Sequence, residues 1–368
     1  MADPASAPEP FQQALAQLGS ALLNALAAFE QVRRRLHPPV IGALREALEP
    51  IRERLRAALT AFRATRVPTD VEAIAAQLIA AAEPALSALD DFCAPSLPQE
   101  AIPRVLRAMR AHCQAQRQLY PLAQVLPPVS AFFTEPAARS RAVMPNRALP
   151  DGVNVGVVIA RERSGARGGF ALYVPESYDP GRAWPLVVAL HGGSGNGEDF
   201  LWTWVTEARS RGFLVMAPTS LGSTWSLMGD DIDAPAIRYL FDYVCEHWHV
   251  DRARVLLTGL SDGATYVLLL GLQPDMPFTA LAPVSGVLHP YNFENGNLER
   301  ARGKRIYLVH GALDWMFPIA TARFAHEELE RAGADVVFRE IADLSHTYPR
   351  EENDRILTWF EPTLAFPS

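Results

Sequence analysis

Cysteine, lysine and long apolar runs are all scarce in this chain of 368 residues. The three cysteines, Cys93, Cys113 and Cys245, are odd in number and fit no metal-ligand spacing, so we expect reduced thiols and not a disulfide framework. No stretch of about 18 uncharged apolar residues occurs, which argues against an integral membrane segment. The first residues lack the basic start and apolar core of a signal peptide, and the sequence therefore predicts a cytoplasmic protein.

An excess of positive charge is also lacking. The chain has 34 Lys and Arg residues against 41 Asp and Glu, and its net charge of −7 argues against nucleic acid as a partner. Lys304 is the single lysine. Apolar residues make up 49% and charged residues 20%, which excludes a disordered or collagen-like chain and leaves room for two globular domains.

In residues 1–126, apolar residues recur every three or four positions, which predicts amphipathic helices. Links that contain proline separate them, so an antiparallel helical bundle domain is expected here. Thr69 and Glu72 have the spacing of a capping box, and Pro50, Pro84 and Pro103 are expected to kink or split helices. The four predicted helices cover residues 11–29, 41–62, 71–89 and 102–113.

Residues 127–150 have spaced prolines and no sustained period, which is typical of a linker. From residue 151 to 368, short apolar runs alternate with helical stretches. Strands that are apolar on both faces and alternate with helices predict a mostly parallel sheet in an α/β fold, with the first two strands antiparallel. The eight predicted strands cover residues 153–160, 170–175, 186–190, 213–217, 255–259, 280–284, 305–310 and 335–341.

Ser261 follows the fifth predicted strand in the run VLLTGLSDGA. In such a Gly-x-Ser-x-Gly elbow, a tight strand-to-helix turn exposes the serine, and the flanking Gly259 and Gly263 leave room for close packing. The N-terminal N–H groups of the next helix then favour developing negative charge. An ordinary turn is the alternative interpretation, but strand and helix both lie where a nucleophile would need them.

The run HGGSGNG follows the third predicted strand. We predict that the N–H groups of Gly193 and Asp262 form an oxyanion hole, with Ser194 as the alternative to Gly193. A dinucleotide-binding loop would need the spacing Gly-x-Gly-x-x-Gly, which this run lacks.

Asp314 and His346 each follow a later strand, in HGALDWMFP and DLSHTYP. Because active sites of open α/β sheets lie beyond the carboxyl ends of the strands, these side chains are candidates for the acid and the base of a catalytic triad. A helix N-cap is the other interpretation of Asp314. The other candidates are Asp335 and Asp343 for the acid and His289 for the base, whereas His191 and His310 precede glycines and are expected to be structural.

The chain order of serine, aspartate and histidine is that of α/β-hydrolases. Residues 153–362 resemble α/β-hydrolase serine esterases, in particular the polyhydroxybutyrate-depolymerase-like and phospholipase/carboxylesterase-like groups. The motifs that carry this resemblance are LHGGSGNGEDF, VDRARVLLTGLSDGA, LVHGALDWMFP and LSHTYP. The sequence departs from many relatives at Ala264, where they have a second glycine, and at Trp315 beside the acid. Residues 1–150 resemble no family that we recognise.

The resemblance implies a serine esterase that acts through an acyl-enzyme on small to medium esters, including polyester oligomers, and needs no metal or other cofactor. Trp202, Trp225, Trp315 and Met316 are predicted to line the substrate pocket. Residues 285–304 are too few for a large cap, so the helical half is a candidate for a lid, for oligomerisation or for partner binding. A serine peptidase and a non-catalytic binding module remain as alternatives.

Overall fold

In the computed structural model, which describes residues 8–95, 98–140, 154–160 and 167–366, the chain divides into two units. Met1–Pro136 is called the helical unit below and Ala137–Ser368 the C-terminal unit. The predicted linker begins with a short helix, Pro127–Phe132, and its residues 141–150 lie outside the described residues. The predicted boundary at residue 150 therefore stays a prediction.

Four long helices that pack on one another make up most of the helical unit. Each contains one of the four predicted apolar stripes. Their buried faces meet in aromatic pairs: the ring centroids of Phe11 and Phe62 are 5.8 Å apart and those of Phe29 and Phe92 are 5.7 Å apart. The helices are α1 (Glu9–Arg34), α2 (Ile41–Ala64), α3 (Glu72–Cys93), α4 (Pro98–Leu119) and the short α5 (Pro127–Phe132).

Pro50, Pro84 and Pro103 lie inside α2, α3 and α4, and each helix continues past its proline, so none is split there. The expected kinks stay a prediction. Proline removes one helical hydrogen bond and crowds the preceding turn, so the packing of each helix must offset that cost. The expectation of a capping box is wrong: Thr69 forms no side-chain cap, because a 3₁₀ turn, Thr69–Val71, precedes α3.

One helical stretch, Thr69–Cys93, is long and apolar enough to cross a membrane by length and composition alone, and 44% of its most apolar window is buried within the protein. The core helix of a soluble protein meets the same criteria, so this is weak evidence for a membrane segment.

The C-terminal unit contains an eight-stranded sheet in the order β1-β2-β4-β3-β5-β6-β7-β8. From β3 onward every pairing is parallel, whereas β2 is antiparallel to both β1 and β4. This confirms the predicted α/β fold with its antiparallel first pair. The strands are β1 (Gly156–Ala160), β2 (Phe170–Val174), β3 (Trp184–Leu190), β4 (Leu214–Pro218), β5 (Val250–Leu260), β6 (Ala280–Val284), β7 (Arg305–Gly311) and β8 (Asp335–Ile341).

Helices cover the sheet, and β2, β3, β4 and β6 are buried along their whole lengths. The helix that follows β5 packs against β5 and β6. The parallel strands therefore end at one common edge, the carboxyl edge, where their connecting loops gather. The helices are α6 (Gly197–Phe200), α7 (Val205–Arg211), α8 (Asp233–His247), α9 (Asp262–Gly271), α10 (Tyr291–Glu294), α11 (Ile319–Arg331) and α12 (Glu352–Phe360).

The three cysteines and the single lysine are buried or partly buried. The three cysteines are free thiols, and burial raises the pKa of Cys93 to about 11. Lys304 lies just before β7, half-buried, and its ammonium group donates to the carbonyl oxygen of Phe278 at 3.1 Å. Burial lowers the pKa of Lys304.

Candidate active site

Ser261 lies in the turn between β5 and α9, with φ 58° and ψ −122°. A positive φ at a residue with a Cβ costs on the order of 1–3 kcal/mol, so neighbouring groups must hold the turn. The N–H of Ser261 donates to the carbonyl oxygen of Val284 at 3.0 Å, and its own carbonyl oxygen accepts from the N–H of Thr265 at 2.9 Å. The turn therefore presents the serine hydroxyl at the carboxyl edge of the sheet.

Gly259 and Gly263 lie where β5, α9 and the end of β3 come closest. A Cβ at Gly259 would be 2.8 Å from the backbone of Gly263 and 2.9 Å from the carbonyl oxygen of Leu190. A Cβ at Gly263 would overlap the carbonyl oxygens of Leu190 and His191. Because these neighbours are backbone atoms, only glycine fits at either position.

His346 lies in the loop between β8 and α12. Its Nε2 is 2.8 Å from Oγ of Ser261, and its Nδ1 is 2.8 Å from Oδ2 of Asp314. A carboxylate can only accept, so Nδ1 carries the proton and Nε2 is left to accept from the serine hydroxyl. The imidazole is 9% exposed, which shields the contact but leaves an opening to solvent.

Asp314 lies in the loop after β7, and its carboxylate is fully buried. Oδ1 accepts from the N–H groups of Met316 at 2.9 Å and Phe317 at 2.8 Å, and Oδ2 accepts from His346. Burial raises the pKa of Asp314, but the hydrogen bonds from His346 and Phe317 outweigh it, and the pKa lies below its ordinary value. The carboxylate therefore stays charged at neutral pH.

The loops that carry Asp314 and His346 are joined at Gly311. A Cβ at Gly311 would overlap the carbonyl oxygen of Leu344 and lie 2.8 Å from that of Ser345. The N–H of Leu313 donates to the carbonyl oxygen of Leu344 at 2.9 Å. This close approach fixes the loops of Asp314 and His346 relative to each other.

Gly193 and Asp262 lie against each other beside Ser261. A Cβ at Gly193 would be 2.6 Å from Oδ2 of Asp262, which also accepts from Oγ1 of Thr224 at 2.6 Å. Asp262 is the first residue of α9, so its N–H has no acceptor within the helix. The N–H of Ser194, in contrast, donates to the carbonyl oxygen of Ser223 at 2.9 Å. Gly193 is therefore the better candidate donor of the two.

His191 follows β3 and links two loops of the carboxyl edge. Its Nε2 accepts from the N–H of Ser220 at 3.1 Å, so its proton is on Nδ1, 2.7 Å from the carbonyl oxygen of Gly192. The indole N–H of Trp225 donates to the His191 carbonyl oxygen at 2.7 Å. Burial lowers the pKa of His191 to about 4, so the imidazole is neutral at neutral pH.

Residues 230–363, which include Ser261, Asp314 and His346, match the family model described as phospholipase/carboxylesterase. That match lies within the C-terminal unit, whose eight-stranded, mostly parallel sheet is the α/β-hydrolase fold that the sequence predicted. This unit resembles serine esterases, as its motifs predicted, whereas the helical unit lies outside this match. Below, the C-terminal unit is called the hydrolase unit.

One relative of this chain is a bifunctional acetylxylan esterase/xylanase from Neocallimastix patriciarum, 28% identical over 206 residues. That match covers 54% of this chain and 29% of the relative, so the chain spans less than a third of the relative's length. Among solved structures, a thermostable esterase is similar at 22% identity with a TM-score of 0.47, over 55% of this chain and 61% of the other. An acetyl xylan esterase from Aspergillus awamori is similar at 17% identity with a TM-score of 0.44, over 56% and 98%.

The four predicted pocket residues of the hydrolase unit differ in exposure. Trp202 and Trp225 are 3% and 2% exposed. Trp225 stacks on Tyr266 with ring centroids 5.5 Å apart, so it packs the loops against the fold. Trp315 and Met316 are each 49% exposed, directly after Asp314. Of the four, these two offer an apolar surface to a ligand, and their role in a pocket stays a prediction.

The structure places Asp335 away from Ser261 and gives His289 another contact. Asp335 is exposed at the amino end of β8, the edge opposite to the site. Nδ1 of His289 accepts from the N–H of Tyr291 at 3.2 Å. Within the described part of the chain, no group of three or more His, Cys, Asp or Glu side chains is arranged to hold a metal ion.

Two side chains at this site have contacts that the sequence did not reveal. His310 was expected to be only structural, yet its Nε2 lies 3.4 Å from Oδ2 of Asp314. The ring of Phe317 lies edge-on to the imidazole of His346, with centroids 5.2 Å apart. The position of His310, four residues before Asp314, was a signal in the sequence for the first contact. No feature of the sequence indicated the contact between Phe317 and His346.

Proposed function

We propose that the protein is a serine carboxylic-ester hydrolase that acts on small to medium esters through Ser261, His346 and Asp314. The observation that carries this proposal is the unbroken series of two 2.8 Å contacts from the hydroxyl of Ser261 through the imidazole of His346 to the carboxylate of Asp314. The turn at Ser261 and the match to the carboxylesterase family model support it as well.

In the proposed first step, Oγ of Ser261 attacks the ester carbonyl carbon while Nε2 of His346 takes the hydroxyl proton. Asp314 accepts from Nδ1–H throughout, which fixes the tautomer and stabilises the imidazolium that forms. The new C–O bond converts the carbonyl oxygen into an oxyanion. The N–H groups of Gly193 and Asp262 donate to that oxyanion, each contributing roughly 3–4 kcal/mol to barrier lowering.

The tetrahedral intermediate then collapses: the bond to the alcohol oxygen breaks, and His346 returns its proton to the leaving alcohol. An acyl-enzyme on Ser261 remains. In the second half-reaction, His346 takes a proton from water, the resulting hydroxide attacks the acyl carbon, and the carboxylic acid leaves as Ser261 recovers its proton.

Small to medium esters with an apolar acyl or alcohol group are the first substrates to test. The apolar surface that Trp315 and Met316 expose beside the acid suits an acyl chain or an apolar alcohol. The relative from Neocallimastix patriciarum is named as an acetylxylan esterase/xylanase, so acetylated carbohydrates belong in a substrate panel beside p-nitrophenyl esters and polyester oligomers.

The proposal predicts that a fluorophosphonate probe forms one covalent adduct on Ser261. Intact-mass measurement and peptide mapping check this, and Ser261→Ala is the control that should lose both the adduct and p-nitrophenyl acetate hydrolysis. The expected loss of kcat is on the order of 10⁴-fold or more, because removal of the nucleophile removes the covalent route. Absence of an adduct on the wild-type protein would favour a non-catalytic module, and hydrolysis of peptide amides in preference to esters would favour a peptidase.

A further inference from the structure

His310, at the end of β7, is completely buried in the hydrolase unit next to the proposed acid. Its Nε2 lies 2.7 Å from the carbonyl oxygen of Phe317 and 3.4 Å from Oδ2 of Asp314. The proposed catalytic steps do not use this imidazole. A buried, polar and conformationally fixed group at this distance from the acid requires an explanation beyond core packing.

The contacts of His310 define its protonation. A carbonyl oxygen can only accept, so Nε2 carries the proton that is donated to Phe317. Nδ1 is buried, and no group in the described part of the chain hydrogen-bonds with it, so a second proton there would have no protein acceptor. Burial lowers the pKa of His310, although Asp314 and Glu340 face it and favour the charged form, and His346 opposes that form. His310 is therefore a neutral donor.

Phe317 connects this donor to both ends of the acid–base pair. Its N–H donates to Oδ1 of Asp314 at 2.8 Å, and its carbonyl oxygen accepts from His310. Its ring packs edge-on against the imidazole of His346, at an interplanar angle of 88°. Movement of the Phe317 backbone would therefore shift the carboxylate of Asp314 and remove the ring that packs against the imidazole of His346.

We propose that His310 is a positioning residue: its Nε2–H holds the carbonyl group of Phe317, and through Phe317 it sets the distance between Asp314 and His346. This inference rests on the proposed function. The donor is neutral, so it holds the acid loop without adding a second imidazolium that would compete with His346 for the carboxylate.

Two substitutions distinguish the effect of losing the hydrogen-bond donor from the effect of changing the side-chain volume. His310→Gln places an amide nitrogen at the position of Nε2 and keeps the donor, whereas His310→Asn places the amide near Nδ1 and loses it. The measurements are kcat and KM on p-nitrophenyl acetate, thermal melting, and the far-downfield proton resonance of Nδ1–H of His346, which reports its hydrogen bond to Asp314 without any substrate.

For His310→Asn we expect kcat to fall by about 10- to 100-fold at an unchanged KM, because a small displacement of reacting groups costs rate and not binding. The downfield resonance should broaden or move upfield. His310→Gln should retain the resonance and a kcat within about threefold of the wild type, since its donor remains. A role in packing alone would lower the melting temperature of both variants and leave the resonance in place.

The proposal is overturned if His310→Asn keeps both the resonance and kcat, or if Gln and Asn lose activity equally while the resonance persists. Should the Asn variant fail to melt cooperatively, His310→Leu, which fills the volume without a donor, takes its place with the same expectations. If the wild-type protein neither hydrolyses esters nor reacts at Ser261, the proposed function is refuted. The role of His310 is still tested in that case, because the Nδ1–H resonance of His346 reports the contact with Asp314 without any substrate.

Discussion

Gly193 lies under the carboxylate of Asp262, so close that a single added carbon would reach Oδ2 at 2.6 Å. The atom it would meet is the end of a side chain and not backbone, so the clash can be relieved by movement. Relief would break the contact between Asp262 and Thr224 and tilt the peptide whose N–H is proposed to bind the oxyanion. We therefore expect a larger residue at position 193 to lower the rate of ester hydrolysis more than the stability of the fold.

Gly193→Ala is accordingly expected to lower kcat for p-nitrophenyl acetate by about 10- to 1000-fold, up to the loss found on removing one oxyanion donor. Steady-state kinetics measure this, and a thermal melt within a few degrees of the wild type shows that the fold is intact.

A double-mutant cycle with Asp262→Ala locates the cause of that loss. If the clash with the carboxylate is responsible, Gly193→Ala should cost much less in the Asp262→Ala background than in the wild type. Equal costs in the two backgrounds would show that Asp262 is not involved.

The sequence predicted the site residues that directly follow a strand, because the carboxyl ends of parallel strands meet at one edge of the sheet. Ser261, Asp314 and His346 each follow a strand of one parallel sheet, and the structure places the three within hydrogen-bonding distance. The contact of His310 with Phe317 could not be predicted, because it depends on how a loop of seven residues folds back, which neither period nor motif determines.

At the scale of secondary-structure elements, His191 joins the loop after β3 to the loop after β4. It can accept from the N–H of Ser220 only while Nε2 is unprotonated. Because burial lowers the pKa of His191 to about 4 from 6.5, the unfolded chain binds a proton at a higher pH than the folded one.

The free energy of unfolding should consequently fall as pH decreases from 6.5 towards 4, by on the order of 3 kcal/mol from this residue, whereas its contribution is fully present above 6.5. Guanidinium denaturation at pH 7.5 and pH 5 measures the part of this change that develops above pH 5, about 2 kcal/mol. His191→Gln, whose amide oxygen can accept from Ser220 without titrating, is the control and should show a smaller pH dependence. The same pH dependence in both proteins would contradict the assignment.

All eight predicted strands of the hydrolase unit are present. The inner strands carry apolar runs because both faces of the sheet are covered, whereas the edge strands β1 and β8 are only partly buried. The strand ends differ most from the prediction at β5, which starts at Val250 and not at residue 255. The helices through Pro50, Pro84 and Pro103 were predicted from their apolar stripes, but their continuity past each proline was not, since local propensity opposes it and tertiary packing must overcome it.

At the scale of the whole molecule, the two units each have a core of their own. The helical unit is built around pairs such as Phe11 with Phe62, and the hydrolase unit around its sheet. Every residue of the proposed triad and oxyanion hole belongs to the second unit. We propose that the units are separate domains, and a lid, oligomerisation and partner binding remain the candidate roles of the first.

Removal of residues 1–136 should therefore leave a protein that still reacts with a fluorophosphonate at Ser261. If the helical unit is a lid, the ratio of kcat/KM for long and short acyl esters should change relative to the full chain. An unchanged ratio would exclude the lid, and sedimentation of both proteins would show whether the helical unit mediates oligomerisation. Loss of the adduct would show that the hydrolase unit depends on the helices.

The near absence of side-chain amines has a practical result for enzymology. Activated esters commonly acylate surface lysines and so produce a slow, non-enzymatic background, but the single lysine of this protein is half-buried and bound to a carbonyl oxygen. When the protein is exposed to such esters, an increase in its mass should therefore indicate an acyl-enzyme and not acylated lysine side chains. The same property makes amine-coupled immobilisation a poor choice for this protein.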